Sequence, residues 1–380
     1  MEHLDLSKAE GLKVLFLHLS NGPKSWHRMI KYADIMSEMG WDMYPFYPQY
    51  DAEKHDQVLR DYELQTDEHL PSLSKLFSNA DMVVCSAVHS LKFGCALKAF
   101  REVYEVPLIF EADDHPFEVD DNHPSHAALG IGSDIEHNVY DQIYDSDACI
   151  VSTPYLKRVL DVHCKDVHVI PNALDLGIWK PRGKPDNGDK IILGWAGASG
   201  HAKDLSLIRE VFLELLGRHP NLEIKCLHGA VDLIQHERFS NDSTWTKIMD
   251  YPHKLASMPW DICVAPLWDS EFNRAKSNLR WLEYSALRIP TVASRVEPYS
   301  RSIKDGVDGF LASTKTEWVD KISNLCQDPQ LRTSIGNSAR KKIEKDYDAR
   351  RVAQDYADLL KHLHEKIRRN RDVHVPIPSK

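Results

Sequence analysis

Short apolar runs along the chain alternate with longer stretches in which apolar residues recur every three or four positions. The first run, Lys13-Val-Leu-Phe-Leu-His-Leu19, ends at the turn Ser20-Asn21-Gly22-Pro23, after which Met29, Ile30, Ala33, Ile35 and Met36 keep helical spacing until Gly40. A strand, a Gly/Pro turn and an amphipathic helix open an α/β unit. The pattern returns: 81–85 and 107–110 read as buried strands on either side of a helix over 91–104, and 148–151 and 167–170 read as two more strands. A helix is predicted from Thr153 and Pro154, with Thr as N-cap and Pro in the first turn. Residues 181–189, polar and rich in Pro and Gly, read as a linker. Strands at 190–193, 222–226, 262–265 and 291–293 then alternate with helices at 204–217, 277–287 and 316–326. From about Asp328 to Arg369 the pattern is nearly all helical, and 371–380 reads as a tail. Such alternation implies parallel sheets covered on both faces, in two α/β domains joined by a connecting segment.

Length and composition narrow this picture. A chain of 380 residues exceeds what one core organises, and 42% hydrophobic with 27% charged residues excludes a largely disordered chain. No apolar run reaches the roughly 18 residues of a membrane-spanning helix, and the acidic start MEHLDLSKAE has no signal-peptide pattern. Seven scattered cysteines without a CxxC pair read as reduced thiols, so a cytoplasmic location is expected. The net charge of −10 is uneven: residues 1–180 carry 15 Lys and Arg against 30 Asp and Glu, whereas the remainder is at +5. A mildly basic half suits a small phosphorylated ligand, although charge drift that serves solubility accounts for the same numbers.

Candidate chemistry gathers behind two predicted strands, where open α/β sheets bind their ligands. Behind 190–193 comes Gly194-Trp-Ala-Gly197-Ala-Ser-Gly200-His201-Ala-Lys203-Asp204. Its Gly-x-x-Gly-x-x-Gly spacing is a poor match to a dinucleotide fingerprint, but it lets backbone approach an anion; a tight turn is the plain alternative. Behind 262–265 comes Trp268-Asp-Ser-Glu271-Phe-Asn-Arg274-Ala-Lys276-Ser277-Asn278-Leu-Arg280-Trp-Leu-Glu283-Tyr284. Ser277 or Asn278 is expected to cap a helix, with Lys276, Arg280 and Glu283 on one face. Cations beside a helix N-terminus suit a diphosphate, and a carboxylate two turns on suits paired ribose hydroxyls; an exposed face of ion pairs is the ordinary alternative. The run from Asp113 to His126 has the residue types of a metal site, but Pro116 and Pro124 break any helix that would fix the ligands, so a solvated loop is preferred.

Taken in order, these segments resemble the family-4 retaining glycosyltransferases of the GT-B fold, over roughly 12–360. Val169-Ile-Pro-Asn172-Ala-Leu-Asp175 followed by Trp179-Lys-Pro181 resembles that family's crossover between domains. Gly197 with Lys203-Asp204 resembles its phosphate loop. Ala265-Pro266 through Glu283, then 289–294, resembles "P…E-x7-E…G-P-V-V-A", and Glu297 with 305–311 resembles "E-x-I-x-D-G-x-x-G-f-L". The match is incomplete: Ala275 stands for the first Glu, Ala198 for the loop arginine and Ala173 for a glycine. Lys276-Ser277, Arg280 and Glu283-Tyr284 are similar to a "K-S-x-x-K-x-x-E-Y" branch instead.

The resemblance implies two Rossmann-like domains facing across a cleft, with a C-terminal helix crossing back to the first. The bounds expected are 1–170 on the acceptor side, 171–189 as crossover, 190–355 on the donor side and 356–380 as terminal helix and tail. It implies transfer of a sugar from a UDP- or GDP-sugar, UDP first, to an acceptor hydroxyl, with retention, without a metal and with no cofactor beyond this co-substrate. By resemblance Asn21 and Gly22 lie over the donor phosphate with Gly197, and Lys203 neutralises the diphosphate. Lys276 or Arg274 replaces the missing arginine, Ser277 and Asn278 open the donor-site helix, and Glu283 holds the ribose. Sugar contacts are then expected from Asp269 or Glu271. Lys203 and Lys276 would stabilise the leaving group, and Asp113 or Asp114 would orient the acceptor or steady the reacting centre. A glycan, a lipid-linked group or another hydroxyl compound is the expected acceptor. Modified nucleic acid is disfavoured by the acidic first half. A sugar-nucleotide epimerase and a non-catalytic nucleotide-sugar-binding scaffold remain the alternative functions.

Overall fold

The computed structural model describes residues 12–17, 25–44, 70–87, 91–117, 134–181, 183, 186–229 and 233–373. The expected Asn21 and Gly22 contacts, and most of the 113–126 run, lie outside the described residues. The described residues divide into two compact units, one formed by those up to 117, 134–171 and 349–373 and the other by those within 172–348.

The first unit holds a six-stranded sheet, β1 (Lys13–Leu17), β2 (Asp42–Tyr44), β3 (Met82–Ser86), β4 (Leu108–Ala112), β5 (Ala148–Val151) and β6 (Val167–Val169), in the order β2-β1-β3-β4-β5-β6. Every pair is parallel. Leu15, Leu17, Val83, Cys85 and Leu108 are buried beneath Leu76 and Phe77 of the Leu70–Asn79 helix and Leu97 of the Leu91–Tyr104 helix. Thr153 caps the Pro154–Leu160 helix by accepting from Leu156 N–H at 3.1 Å, as its sequence predicts.

The C-terminal helix Ala349–Val373 belongs to this first unit. Val352, Tyr356, Leu360, Leu363 and Ile367 repeat every three or four residues and are all buried, so one stripe of an otherwise polar helix is covered. The Tyr356 ring meets Phe16 at 5.7 Å and Tyr32 at 5.5 Å. Within the basic run 366–371, Lys366 pairs with Asp166 at 2.8 Å and Arg371 with Asp147 at 3.1 Å. These charges are used in holding the helix to its own unit.

The second unit repeats the plan with β7 (Ile191–Gly197), β8 (Leu222–His228), β9 (Phe239–Asp242), β10 (Ile262–Ala265), β11 (Thr291–Ser294) and β12 (Phe310–Ala312), again all parallel. The order β12-β11-β10-β7-β8-β9 is that of a Rossmann sheet, and its direction reverses between β7 and β10. Alternate residues of β7 serve two cores. Ile191, Leu193 and Trp195 face one layer with Phe212, Ile224 and Val264, while Ile192 and Ala196 face the other with Cys263, Trp281 and Tyr284. Burial on both faces is why these strands read as continuous apolar runs. Residues from 172 already belong to this unit: Leu174 and Trp179 are buried in its core, and Leu174 bridges Asp348 just before the chain returns to the first unit.

Several elements differ from the sequence expectation. The helix predicted over 204–217 is two, Ala202–Ser206 and Arg209–Arg218, and β7 and β8 each run past their predicted ends. The helix predicted from 277 starts at Leu279, after a separate turn of helix at Glu271–Ala275. Asn278 stands at its N-cap, but the side chain caps nothing; its amide donates to Ser302 Oγ at 2.8 Å instead.

Candidate functional site

The carboxyl ends of β7 and β10 flank the reversal point of the second sheet, the place where such sheets leave a crevice for ligands. Gly197 is the last residue of β7. A Cβ there would lie 2.6 Å from Trp195 Cζ2 and 2.8 Å from Arg280 Nη2, so glycine is required for the Arg280 guanidinium to approach this backbone. Arg280 Nε donates to Ala196 O at 2.9 Å, and the guanidinium lies 5.4 Å from the Trp195 ring. No carboxylate lies within ion-pairing distance of it among the described residues. Burial alone would lower the guanidinium, but Tyr299, Tyr284 and Asp204 hold it above its ordinary value.

Glu283 follows Arg280 by three residues on the Leu279–Ala286 helix and is 6% exposed. Burial pushes its carboxyl up to about 7, against the charge of Arg280 and a 3.3 Å hydrogen bond donated by Tyr251 Oη. Tyr284 on the same helix accepts at its hydroxyl oxygen from the Ala196 N–H at 2.8 Å. The three-residue face predicted for Lys276, Arg280 and Glu283 reduces to the latter two, because Lys276 precedes the helix and caps the Glu271–Ala275 turn.

The segment after β7, in its short helix Ala202–Ser206, carries Lys203, whose ammonium lies 5.0 Å from the Trp268 ring centroid. Lys276 lies 4.6 Å from the Phe272 ring. Asp204, 3% exposed, joins this loop to the segment behind β10. Its Oδ1 accepts from Trp268 N–H at 2.9 Å and Asn273 Nδ2 at 3.0 Å, and its Oδ2 meets His201 Nδ1 at 2.9 Å. Burial would raise the Asp204 carboxyl, but the bonds from His201 and Trp268 outweigh it and hold it low.

Other sequence candidates are committed to structure. Arg274 Nε donates to Asp269 at 2.6 Å and Nη1 to Glu271 at 3.0 Å, so its charge is already met, as are both carboxylates read as sugar contacts. Of the cations that the sequence reading placed here, Arg274 is thus held by carboxylates, whereas Lys276 lies by the Phe272 ring and Arg280 by Gly197. Ser277 Oγ accepts from Asn172 Nδ2 at 2.7 Å, fixing the crossover Asn within the second unit.

Asp113 and Asp114 lie in the first unit, just beyond the end of β4, and are part-buried. Ser152 Oγ donates to the Asp113 carbonyl at 3.0 Å. Glu111, near the end of β4, forms a fully buried ion pair with Arg28 of the helical segment Trp26–Ile30, Nε to Oε1 at 2.5 Å, and Arg28 Nη1 donates to Ile170 O at 2.7 Å. Burial alone would lower Arg28, but Glu111, with Asp113, holds it above its ordinary value. Among the described residues no group of three or more His, Cys, Asp and Glu is placed to hold a metal, and no helix is long and apolar enough to cross a membrane.

The sequence reading placed Arg280 on the candidate face with Lys276 and Glu283 without giving it a donor contact of its own, and it gave Tyr251 and His201 no role. Arg280 carried a signal, its place in the K-S-x-x-K-x-x-E-Y pattern. Tyr251 carried none, since its partner is 32 residues away.

Residues 209–358 match a family model described as "Glycosyl transferase-like". A D-inositol 3-phosphate glycosyltransferase of Arthrobacter sp. is 26% identical over 193 residues, 46% of this chain and 45% of the relative, so the alignment spans less than half of that protein's length. The Anabaena protein HepE, solved in complex with UDP and glucose, superposes with a TM-score of 0.65 at 14% identity, covering 92% of this chain and all of its own. Sucrose-phosphate synthase from Thermosynechococcus elongatus gives 0.64 at 12% identity, covering 94% and all of its own. The chain thus has the GT-B fold of two parallel six-stranded units, and its residues 209–358 are similar to a glycosyl transferase-like family.

Proposed function

We propose that the chain transfers a sugar from a nucleoside-diphosphate sugar, UDP-sugar first and GDP-sugar second, to an acceptor hydroxyl with retention at the anomeric carbon. The observation that carries this reading is Arg280, a cation without a carboxylate partner among the described residues, set against Gly197 at the sheet reversal point with Glu283 one turn further on. The complexes of HepE with UDP and with UDP-glucose support the choice of uridine. In this reading the diphosphate lies by Lys203, Lys276 and Arg280, and the ribose hydroxyls donate to Glu283.

The bond between the anomeric carbon and the phosphate oxygen breaks, and negative charge grows on the departing diphosphate. Fixed cations meet that charge without reorganising, which lowers the barrier and asks nothing of a metal. The acceptor oxygen bonds to the same face of the anomeric carbon and its proton passes to the leaving phosphate oxygen, so no base on the enzyme is required. Asp113 and Asp114 are assigned to orienting the acceptor. A glycan, a lipid-linked group or another hydroxyl compound is the acceptor class.

The experiment is an assay of nucleoside diphosphate release from UDP- and GDP-sugars against a panel of such acceptors, with the product anomer read by NMR. Acceptor-dependent release with a retained anomer supports the proposal. Interconversion of donor sugars without an acceptor would point to an epimerase, and binding without turnover to a scaffold.

A further inference from the structure

The site assigned to the donor is rich in cations and poor in groups that recognise a sugar. Residue 275 is a buried alanine, and Asp269 and Glu271 are bound up with Arg274. One side chain beside the cations has spare hydrogen-bonding capacity of another kind. His201 lies in the loop four residues beyond Gly197, and its Nδ1 is 2.9 Å from Asp204 Oδ2. The Asp204 carboxylate is itself held, through Oδ1, by Trp268 N–H and Asn273 Nδ2. An ionised carboxylate only accepts, so Nδ1 carries the imidazole proton and Nε2 presents a lone pair. Nε2 has no partner among the described residues, and the side chain is 27% exposed.

We propose that His201, oriented by Asp204, accepts at Nε2 a hydrogen bond from a hydroxyl of the transferred sugar and so recognises the sugar rather than the nucleotide. This rests on the donor-site reading above. A diphosphate has only acceptor oxygens towards this nitrogen, whereas a sugar hydroxyl is the donor that a neutral imidazole needs. The surrounding charges keep it neutral: burial, then Arg280 of the Leu279–Ala286 helix and Lys276 of the preceding turn, push the imidazole down to about 4, against Asp204 on its own segment. His201 is here a binding residue, and Asp204 is a positioning residue acting through it.

The test titrates the full-length chain calorimetrically with UDP and UDP-glucose, and with GDP and GDP-mannose, for wild type, His201→Ala and His201→Gln. The proposal expects His201→Ala to bind the free nucleotide within about twofold of wild type, while the nucleotide sugar weakens about tenfold, the scale of one lost hydrogen bond. His201→Gln, whose amide oxygen reaches about where Nε2 stands, recovers most of that loss. The wild-type preference for nucleotide sugar over nucleotide holds from pH 8 to pH 6 and falls as the pH approaches 4, where Nε2 gains a proton and stops accepting. Equal weakening of nucleotide and nucleotide sugar in His201→Ala overturns the proposal, since it signals a phosphate or purely structural role. Unchanged binding of both also overturns it and leaves the donor-site reading standing. A wild type that binds no nucleotide of the four removes the donor site and this inference with it.

Discussion

Replacing Glu283 by Gln probes the most perturbed acid of the donor site. The carboxyl is 6% exposed, with one 3.3 Å hydrogen bond from Tyr251, and holds its proton to about 7 rather than the ordinary 4.5. Between those pH values the folded chain binds a proton that the unfolded chain has released. The stability this group contributes is therefore complete below pH 4.5 and is lost as the pH rises through 7, on the order of 3 kcal/mol across the window. Glu283→Gln removes that loss, so the variant melts with wild type near pH 4.5 and above it at pH 8, by about 2–4 °C per kcal/mol for a domain of this size. Ligand binding runs the other way. A ribose diol donates to an ionised carboxylate, and a charge-assisted bond of about 1.5–3 kcal/mol makes Glu283→Gln about 10- to 100-fold weaker for UDP at pH 8. Below pH 7 the wild type must first lose its proton, so its advantage over the variant shrinks towards pH 5. Taking the ratio of the two affinities cancels the titration of UDP itself. Calorimetric titration at pH 5, 6, 7 and 8 gives the ratio; a flat ratio, or equal affinities at pH 8, refutes the reasoning.

Three further outcomes are expected. Gly197→Ala drives a Cβ into Trp195 and Arg280, both within 2.8 Å, so urea unfolding registers a loss of about 1–3 kcal/mol and UDP binding is lost; wild-type UDP affinity in this variant would detach Arg280 from the site. Glu111→Gln leaves the buried Arg28 charge without its carboxylate, and the urea midpoint falls by an equivalent of about 3–5 kcal/mol, an unchanged midpoint removing the structural role given to that pair. Asp113→Asn and Asp114→Asn lower kcat for sugar transfer while UDP affinity stays at the wild-type value; a parallel loss of UDP affinity would contradict an acceptor role.

The strands of both units were legible because burial on two faces makes them continuous apolar runs, as at 148–151 and 262–265. The elements missed lack that signature. β9 reads Phe-Ser-Asn-Asp and is an edge strand, β2 is three residues at the other sheet's edge, and β12 is three residues at an edge too. The break between Ser206 and Arg209 falls within an unbroken helical periodicity, so pattern alone joined the two helices. In the site, Lys203, Lys276 and Glu283 stood out because charge beside a strand end is visible locally. The Gly197–Arg280 approach spans 83 residues and exists only because β7 lies beside β10, which no local pattern states. Asn278 had the right residue type for a helix cap and used its amide elsewhere, since Ser302 offered a buried acceptor.

The central claim is that the second unit holds a nucleoside diphosphate sugar through Lys203, Arg280 and Glu283. Calorimetric titration of the full-length chain with UDP-glucose and GDP-mannose, wild type beside Lys203→Ala and Arg280→Met, tests it most directly. The account predicts one site per chain for one of these donors, and weakening of at least tenfold in each variant with the melting profile retained. Wild-type affinity in both variants, or no binding of either donor to the wild type, would contradict it.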